Sequence, residues 1–238
     1  MIVFYSAVVI LLGIVLFFAM KDEASQEKTE KFNFREAIQV LKLPAVWILS
    51  LILCCTYTMN IMFYYFTPYA TSVLGVTATV GAMITMLSQY IRPVASFSSG
   101  IIADRLGRSK VMYITFSLML VCTVILTVSG HMTMVPFVVI CGLIYLGMYG
   151  GYSLVFSMMV EGGVPEKSAG TAIGVVCTLG YLPEVICPLV SGKVLDAMGN
   201  NGYKPLFIWI SVMMGLGIIG LIIWDNYVKK LKQKQAAE

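Results

Sequence analysis

Two charged side chains stand inside long apolar stretches: Arg92 in SQYIRPVAS and Glu184 in TLGYLPEVI. A charge at the centre of a membrane helix costs roughly 2.5–3.5 kcal/mol or more, so each is a functional candidate. Arg92 carries a planar fork of N–H donors suited to holding an anionic solute by bidentate hydrogen bonds. Glu184, desolvated within a span, is the candidate to take up and release a proton. Each adjoins a proline, as Arg92-Pro93 and Pro183-Glu184. Such a proline kinks a helix and frees carbonyls for a ligand or water. The competing structural reading is a buried ion pair between the two helices. A pair that opens on solute binding satisfies both readings.

Polar side chains recur around these two at helical spacing. Tyr57, Asn60 and Tyr64 share one face, and Tyr145, Tyr149 and Tyr152 another. Gln89 lies one turn from Arg92, and Tyr181 one turn from Glu184. The candidate solute-binding set is therefore Arg92, Gln89, Tyr57, Asn60, Tyr64, Tyr149 and Tyr181, with Glu184 for proton coupling. Packing is the alternative role of each tyrosine.

The elements that must position these residues are membrane helices. The chain has 238 residues, of which 59% are hydrophobic and 12% charged, against about 25% charged in soluble domains. Its mean hydropathy is +0.88. Seven apolar stretches approach or exceed the ~20 residues that cross a bilayer: 2–20, 44–71, 77–100, 111–129, 133–160, 169–195 and 205–227. The first lacks a basic flank and a small-residue cleavage site, so it reads as a span and not as a signal peptide. Between it and the rest lies a charged linker, residues 21–43. An interfacial helix is expected from Phe34 to Leu43, opened by a capping box of Asn33 and Glu36. Of the 16 basic residues, 13 fall on one side of this plan. The positive-inside rule makes that side cytoplasmic, with the N-terminus outside and the C-terminus inside. The net charge of +4 is then a topology signal and does not indicate nucleic acid.

The same residues exclude other chemistry. The six cysteines (54, 55, 122, 141, 177 and 187) lie in apolar stretches without a CxxC, and the single histidine is His131 in an outer loop. No metal site or cofactor is expected. The chain has no HExxH, no Ser/His/Asp set and no intramembrane aspartate pair, so it is not expected to be an enzyme.

SGIIADRLG (Ser99–Gly107) and SGKVLDAMG (Ser191–Gly199) both spell S-G-x-x-x-D-x-x-G, 92 residues apart. The same offset aligns Pro44 with Pro136, Tyr57 with Tyr149 and Arg92 with Glu184. The unit holds three spans, so its second copy is inverted, a construction that recurs in secondary transporters. Arg92 and Glu184 each precede their motif glycine by eight residues, about 12 Å of helix, and half the hydrocarbon is about 15 Å. Inversion places both near the midplane. In the first copy Gly100 is expected to allow close helix approach, and Gly107 a turn with positive φ. Asp104 can pair with a base or cap a helix, and Arg105 and Arg108 can bridge to Glu161.

The string Gly100, Asp104, Arg105, Gly107, Arg108, with Ser109 and Lys110 after it, resembles the loop motif G-x-x-x-D-[RK]-x-G-[RK]-[RK] of the major facilitator superfamily. Ser109 departs from that pattern, standing where a basic residue is usual. The stretches GTAIGVVCTLGYLPE and FREAIQVLKLPAVW resemble a poorly characterised bacterial inner-membrane branch of it. The resemblance implies an all-α polytopic fold with seven transmembrane helices, equivalent to the family's helices 6–12. Residues 1–20 would be helix 6, 44–228 a six-helix bundle and 229–238 a basic cytoplasmic tail. It also implies that Gly100, Asp104, Arg105, Gly107, Arg108 and Glu161 latch one conformation of the transporter. The function so implied is secondary transport of a small anionic organic solute by rocker-switch alternation, coupled to protons. Its partners are the lipid bilayer, the solute and a missing N-terminal half, with no nucleic acid. The alternatives are a non-functional remnant and a seven-helix receptor. The receptor leaves the loop motif and the repeat unexplained.

Overall fold

The computed structural model describes residues 2–19, 34–129, 132–159 and 161–237. The chain divides after Glu36 into two units. The first holds one helix, α1 (Ile2–Ala19), apolar throughout as a membrane helix must be. The linker over 21–33, including Asn33 of the expected capping box, lies outside the described residues, as does His131. Helix α2 (Phe34–Leu41) leads into the second unit, where the Trp47 indole N–H donates to the Leu41 carbonyl at 2.8 Å.

All the described elements are helical. α3 (Pro44–Met62) starts with proline at its first turn, where the missing N–H costs nothing. A tight turn over Phe63–Tyr65 joins it to α4 (Phe66–Ser72). α5 (Ala78–Leu106) and α6 (Arg108–Val128) meet at Gly107. α7 (Met134–Val155) is followed by α8 (Ala169–Gly180), α9 (Pro183–Met198) and α10 (Tyr203–Ala237). Residues 229–237, expected as a tail, continue α10 as helix.

Among the described residues, four stretches are long and apolar enough to cross a membrane: Pro44–Ser72, Arg108–Val128, Met134–Met158 and Ala169–Ala236. The last contains α8, α9 and α10, broken at Tyr181-Leu182 and at Gly199–Gly202. α5 has 29 residues, about 44 Å of rise, but its Ser, Thr, Gln and Arg content lowers its hydropathy.

The core lies where α3 and α7 cross. Leu49, Leu53, Met59, Cys141 and Met148 are fully buried there. Phe66, Tyr69, Phe137 and Phe207 add a tilted and edge-to-face aromatic cluster. Tyr145 belongs to this core, fully buried with its ring edge-on to Phe63. The interior faces of α3 and α7 thus carry packing, and Tyr145 of the expected α7 stripe is part of it.

Candidate functional site

A cavity of about 250 Å³ opens between α3, α5 and α7. α3 and the turn after it supply Tyr57, Asn60 and Tyr64, spaced i, i+3, i+7 and so on one helix face. α5 supplies Gln89 and Arg92, and α7 supplies Tyr149. Six of the seven residues picked from sequence therefore share one cavity. The Arg92 guanidinium carbon lies 5.4 Å from the centre of the Tyr149 ring, within cation–π range. Arg92 has no ion pair among the described residues, and its N–H groups remain available to an anion.

Tyr181, the seventh, stands behind this wall. Its ring lies 4.5 Å from that of Tyr57, and its hydroxyl is 2.7 Å from the Tyr152 hydroxyl. Tyr152 lines the cavity itself, as does Phe63. Neither was in the sequence-derived set, though Tyr152 follows Tyr149 by three residues and Phe63 follows Asn60 by three. That spacing was the available signal.

Glu184 accepts a hydrogen bond from the Tyr57 hydroxyl at 3.3 Å. The buried ion pair with Arg92 is not formed: both residues are exposed within the chain, Arg92 lying over the Tyr149 ring and Glu184 accepting from Tyr57. The two prolines also act differently. α5 runs through Pro93 without a break, whereas α8 ends at Gly180 and α9 begins at Pro183. Glu184 falls in the first turn of α9, where the helix dipole favours a negative charge. The break is tightened by Leu182 N–H to the Leu179 carbonyl and Glu184 N–H to the Tyr181 carbonyl.

At the motif loop, Gly107 has φ 91°, as its turn requires. Arg108 and Glu161 form an ion pair at 2.7 Å, with side chains 37% and 29% exposed. Asp104 and Arg105 are exposed and make no ion pair among the described residues, so Arg105 does not join Arg108 at Glu161. The expectation for Gly100 is corrected. A Cβ there would meet nothing within 4 Å, so no helix approaches it closely. The close approach lies one residue earlier, where a Cβ on Gly150 of α7 would collide with the Ser99 hydroxyl. Ser99 and Ser191, the first residues of the two motifs, are both buried.

The all-helical unit with long apolar spans and a polar, cation-bearing cavity defines a multi-pass membrane protein. Its sequence agrees: the Major Facilitator Superfamily model matches residues 1–188, and the chain belongs to that family. It is 25% identical to inner membrane protein YihN of Escherichia coli K12 over 98% of this chain and 57% of that protein. Identity to inner membrane protein YqcE of the same organism is 23%, over 93% of this chain and 54% of that one. The probable nitrate transporter NarT of Staphylococcus haemolyticus is 29% identical over 60% of this chain and 34% of its own length. The chain thus spans about half the length of the E. coli relatives. They support an inner-membrane location.

Proposed function

We propose that this chain is part of a secondary transporter for a small anion, not an enzyme, with Arg92 holding the anion and Glu184 carrying a coupled proton. The observation that carries this is Tyr57, which lines the Arg92 cavity and donates to Glu184 at 3.3 Å. Tyr57 thereby links the residue proposed to hold the anion to the residue proposed to carry the proton. Similarity to the probable nitrate transporter NarT is consistent with an anionic solute.

Helix packing supports an inverted 3+3 repeat within a seven-crossing plan. α5 packs on α7 as α8 and α9 pack on α3, α6 packs on α7 as α10 packs on α3, and α6 packs on α10. Exchanging α3–α6 for α7–α10 leaves that pattern unchanged. In this reading the N-terminus is outside, the C-terminus cytoplasmic and the bundle from Pro44 onward the family's helices 7–12. The solute then moves between this bundle and an N-terminal half, with the Arg108–Glu161 pair latching one state.

Uptake of nitrate and small carboxylates into cells or vesicles carrying the native protein, with and without a pH gradient, tests it. Arg92→Gln should abolish uptake, and Glu184→Gln should leave anion binding intact while removing the response to the gradient. Wild-type uptake by both variants would end the reading. A chromosomal C-terminal tag reads the native mass, and a band well above 26.1 kDa would place the other half on the same polypeptide.

A further inference from the structure

The seam between α6 and α10 leads to a second cavity, lined by none of the candidate solute-binding residues. The two helices run antiparallel in a fixed register. The Ser211 hydroxyl donates to Thr123 Oγ1 at 3.0 Å. Gly217 lies under Phe116 so closely that a Cβ would collide with the ring. At the far end the Ser109 hydroxyl donates to Asp225. Beyond that contact a cavity of about 500 Å³ opens. Leu106, Trp224 and Val228 give it an apolar wall, and Arg108, Lys110, Lys229 and Lys232 a basic one.

The charges in this cavity do not balance internally. Its two acids are already engaged, Glu161 with Arg108 and Asp225 with Ser109. Lys110, Lys229 and Lys232 are exposed and make no ion pair among the described residues. Lys229 and Lys232 sit three apart, on one helix face. No side chain caps the first turn of α6, so its backbone N–H groups add a positive end to the same space. The site therefore calls for an anion with several acceptor oxygens.

Depth identifies the source. Tyr203 to Trp224 of α10 rises about 33 Å, close to the ~30 Å hydrocarbon thickness. Tyr227, half-buried, then lies at the depth where interfacial aromatics sit, and Lys229 and Lys232 in the headgroup layer, while Trp224 is buried inside the bundle. Leu106, 49% exposed, leaves the apolar wall open at the surface.

We propose that this cavity binds the phosphate of an anionic glycerophospholipid between Arg108, Lys110, Lys229 and Lys232, with the lipid's upper acyl chain against the exposed Leu106. The shared chemistry is a phosphate group, and the apolar wall favours a lipid over free phosphate. This inference is independent of which solute the protein carries.

The test is native mass spectrometry of the full chain released from nanodiscs of phosphatidylglycerol and phosphatidylcholine. The wild type should retain phosphatidylglycerol in preference. Lys229→Gln with Lys232→Gln should weaken retention by roughly five-fold for each lysine. Lys229→Arg with Lys232→Arg should restore it, which separates lost charge from lost folding. Lys230→Gln with Lys234→Gln removes equal charge from residues outside the cavity lining and should change nothing. Equal retention of both lipids, or equal loss in the two glutamine pairs, would overturn the site. Displacement of the lipid by inorganic phosphate would overturn its assignment to a lipid headgroup.

Discussion

The two ends of this bundle repeat one arrangement with different chemistry. After Gly107, Arg108 reaches Glu161 beyond the end of α7 through an ion pair at 2.7 Å. After Gly199, with φ 55°, Asn200 donates to the Ser72 carbonyl at the end of α4 at 3.0 Å. Arg108 and Asn200 occupy equivalent positions, 92 residues apart. Arg108 ties the α5–α6 turn to the segment after α7, and Asn200 ties the α9–α10 turn to the end of α4. The backbone solution is shared: a glycine with positive φ turns the chain, and the next side chain reaches across. Only one end uses charge. Of the two contacts, only the Arg108 ion pair is screened by salt.

Arg92 and Glu184 differ in the same way, and the largest expected effect lies there. Arg92 and Glu184 are equivalent by the same offset, yet one faces an open cavity and the other a tyrosine hydroxyl. Hydrogen bonds to charged groups are worth about 1.5–3 kcal/mol, so Arg92→Gln should weaken anion binding roughly 10- to 100-fold. Titration calorimetry of the purified chain with nitrate reads that loss. Glu184→Gln should leave the anion affinity within about three-fold, since an amide still accepts from Tyr57. An equal loss in both variants would make the two positions one structural unit and erase the distinction.

The next effect concerns the helix crossings. Gly150 of α7 meets Ser99 with no room for a Cβ. Its equivalent in α3, Thr58, already carries a branched side chain and bonds the Cys54 carbonyl at 2.9 Å. Gly150→Ala should therefore destabilise the bundle by about 1–3 kcal/mol through overpacking. Thr58→Ala should cost about 1 kcal/mol for the lost methyl and hydroxyl. Thermal unfolding in detergent distinguishes them, and equal costs would mean that the two crossings are packed alike.

What the sequence made legible follows from how local each signal is. The polar faces of α3, α5 and α7 were readable, because i, i+3, i+7 spacing puts side chains on one face whatever the fold around them. Gly107 was readable because a positive φ has few other solutions. Gly100 was misread, since a motif glycine says only that a side chain is absent. What comes near it depends on a helix about 50 residues away. Asp225 and its bond to Ser109 carry no local signal, and only the α6–α10 register brings them together. The uninterrupted course of α5 through Pro93, against the break at Pro183, is also tertiary. Gly180 and the Tyr181-Leu182 turn prepare one break, and nothing equivalent precedes Pro93.

The smallest effects test the two end contacts directly. Arg108 and Glu161 are both about one-third exposed, so a double-mutant cycle with Arg108→Gln and Glu161→Gln should give about 0.2–1 kcal/mol. High salt should shrink it, because exposed charges are screened over about 10 Å at 0.1 M. Asn200→Ala should cost only about 0.5 kcal/mol, with no salt dependence, because a neutral exposed hydrogen bond exchanges readily with water. Asn200→Arg alone should gain nothing, since the Ser72 carbonyl gives a new guanidinium no carboxylate to pair with. Combined with Ser72→Glu, it should create a salt-sensitive coupling of the same size as the natural pair. If that double variant coupled as at the Arg108 end, the two ends would differ by side-chain charge alone. If it did not, the geometry behind Arg108 and Glu161 would itself be specialised for the latch.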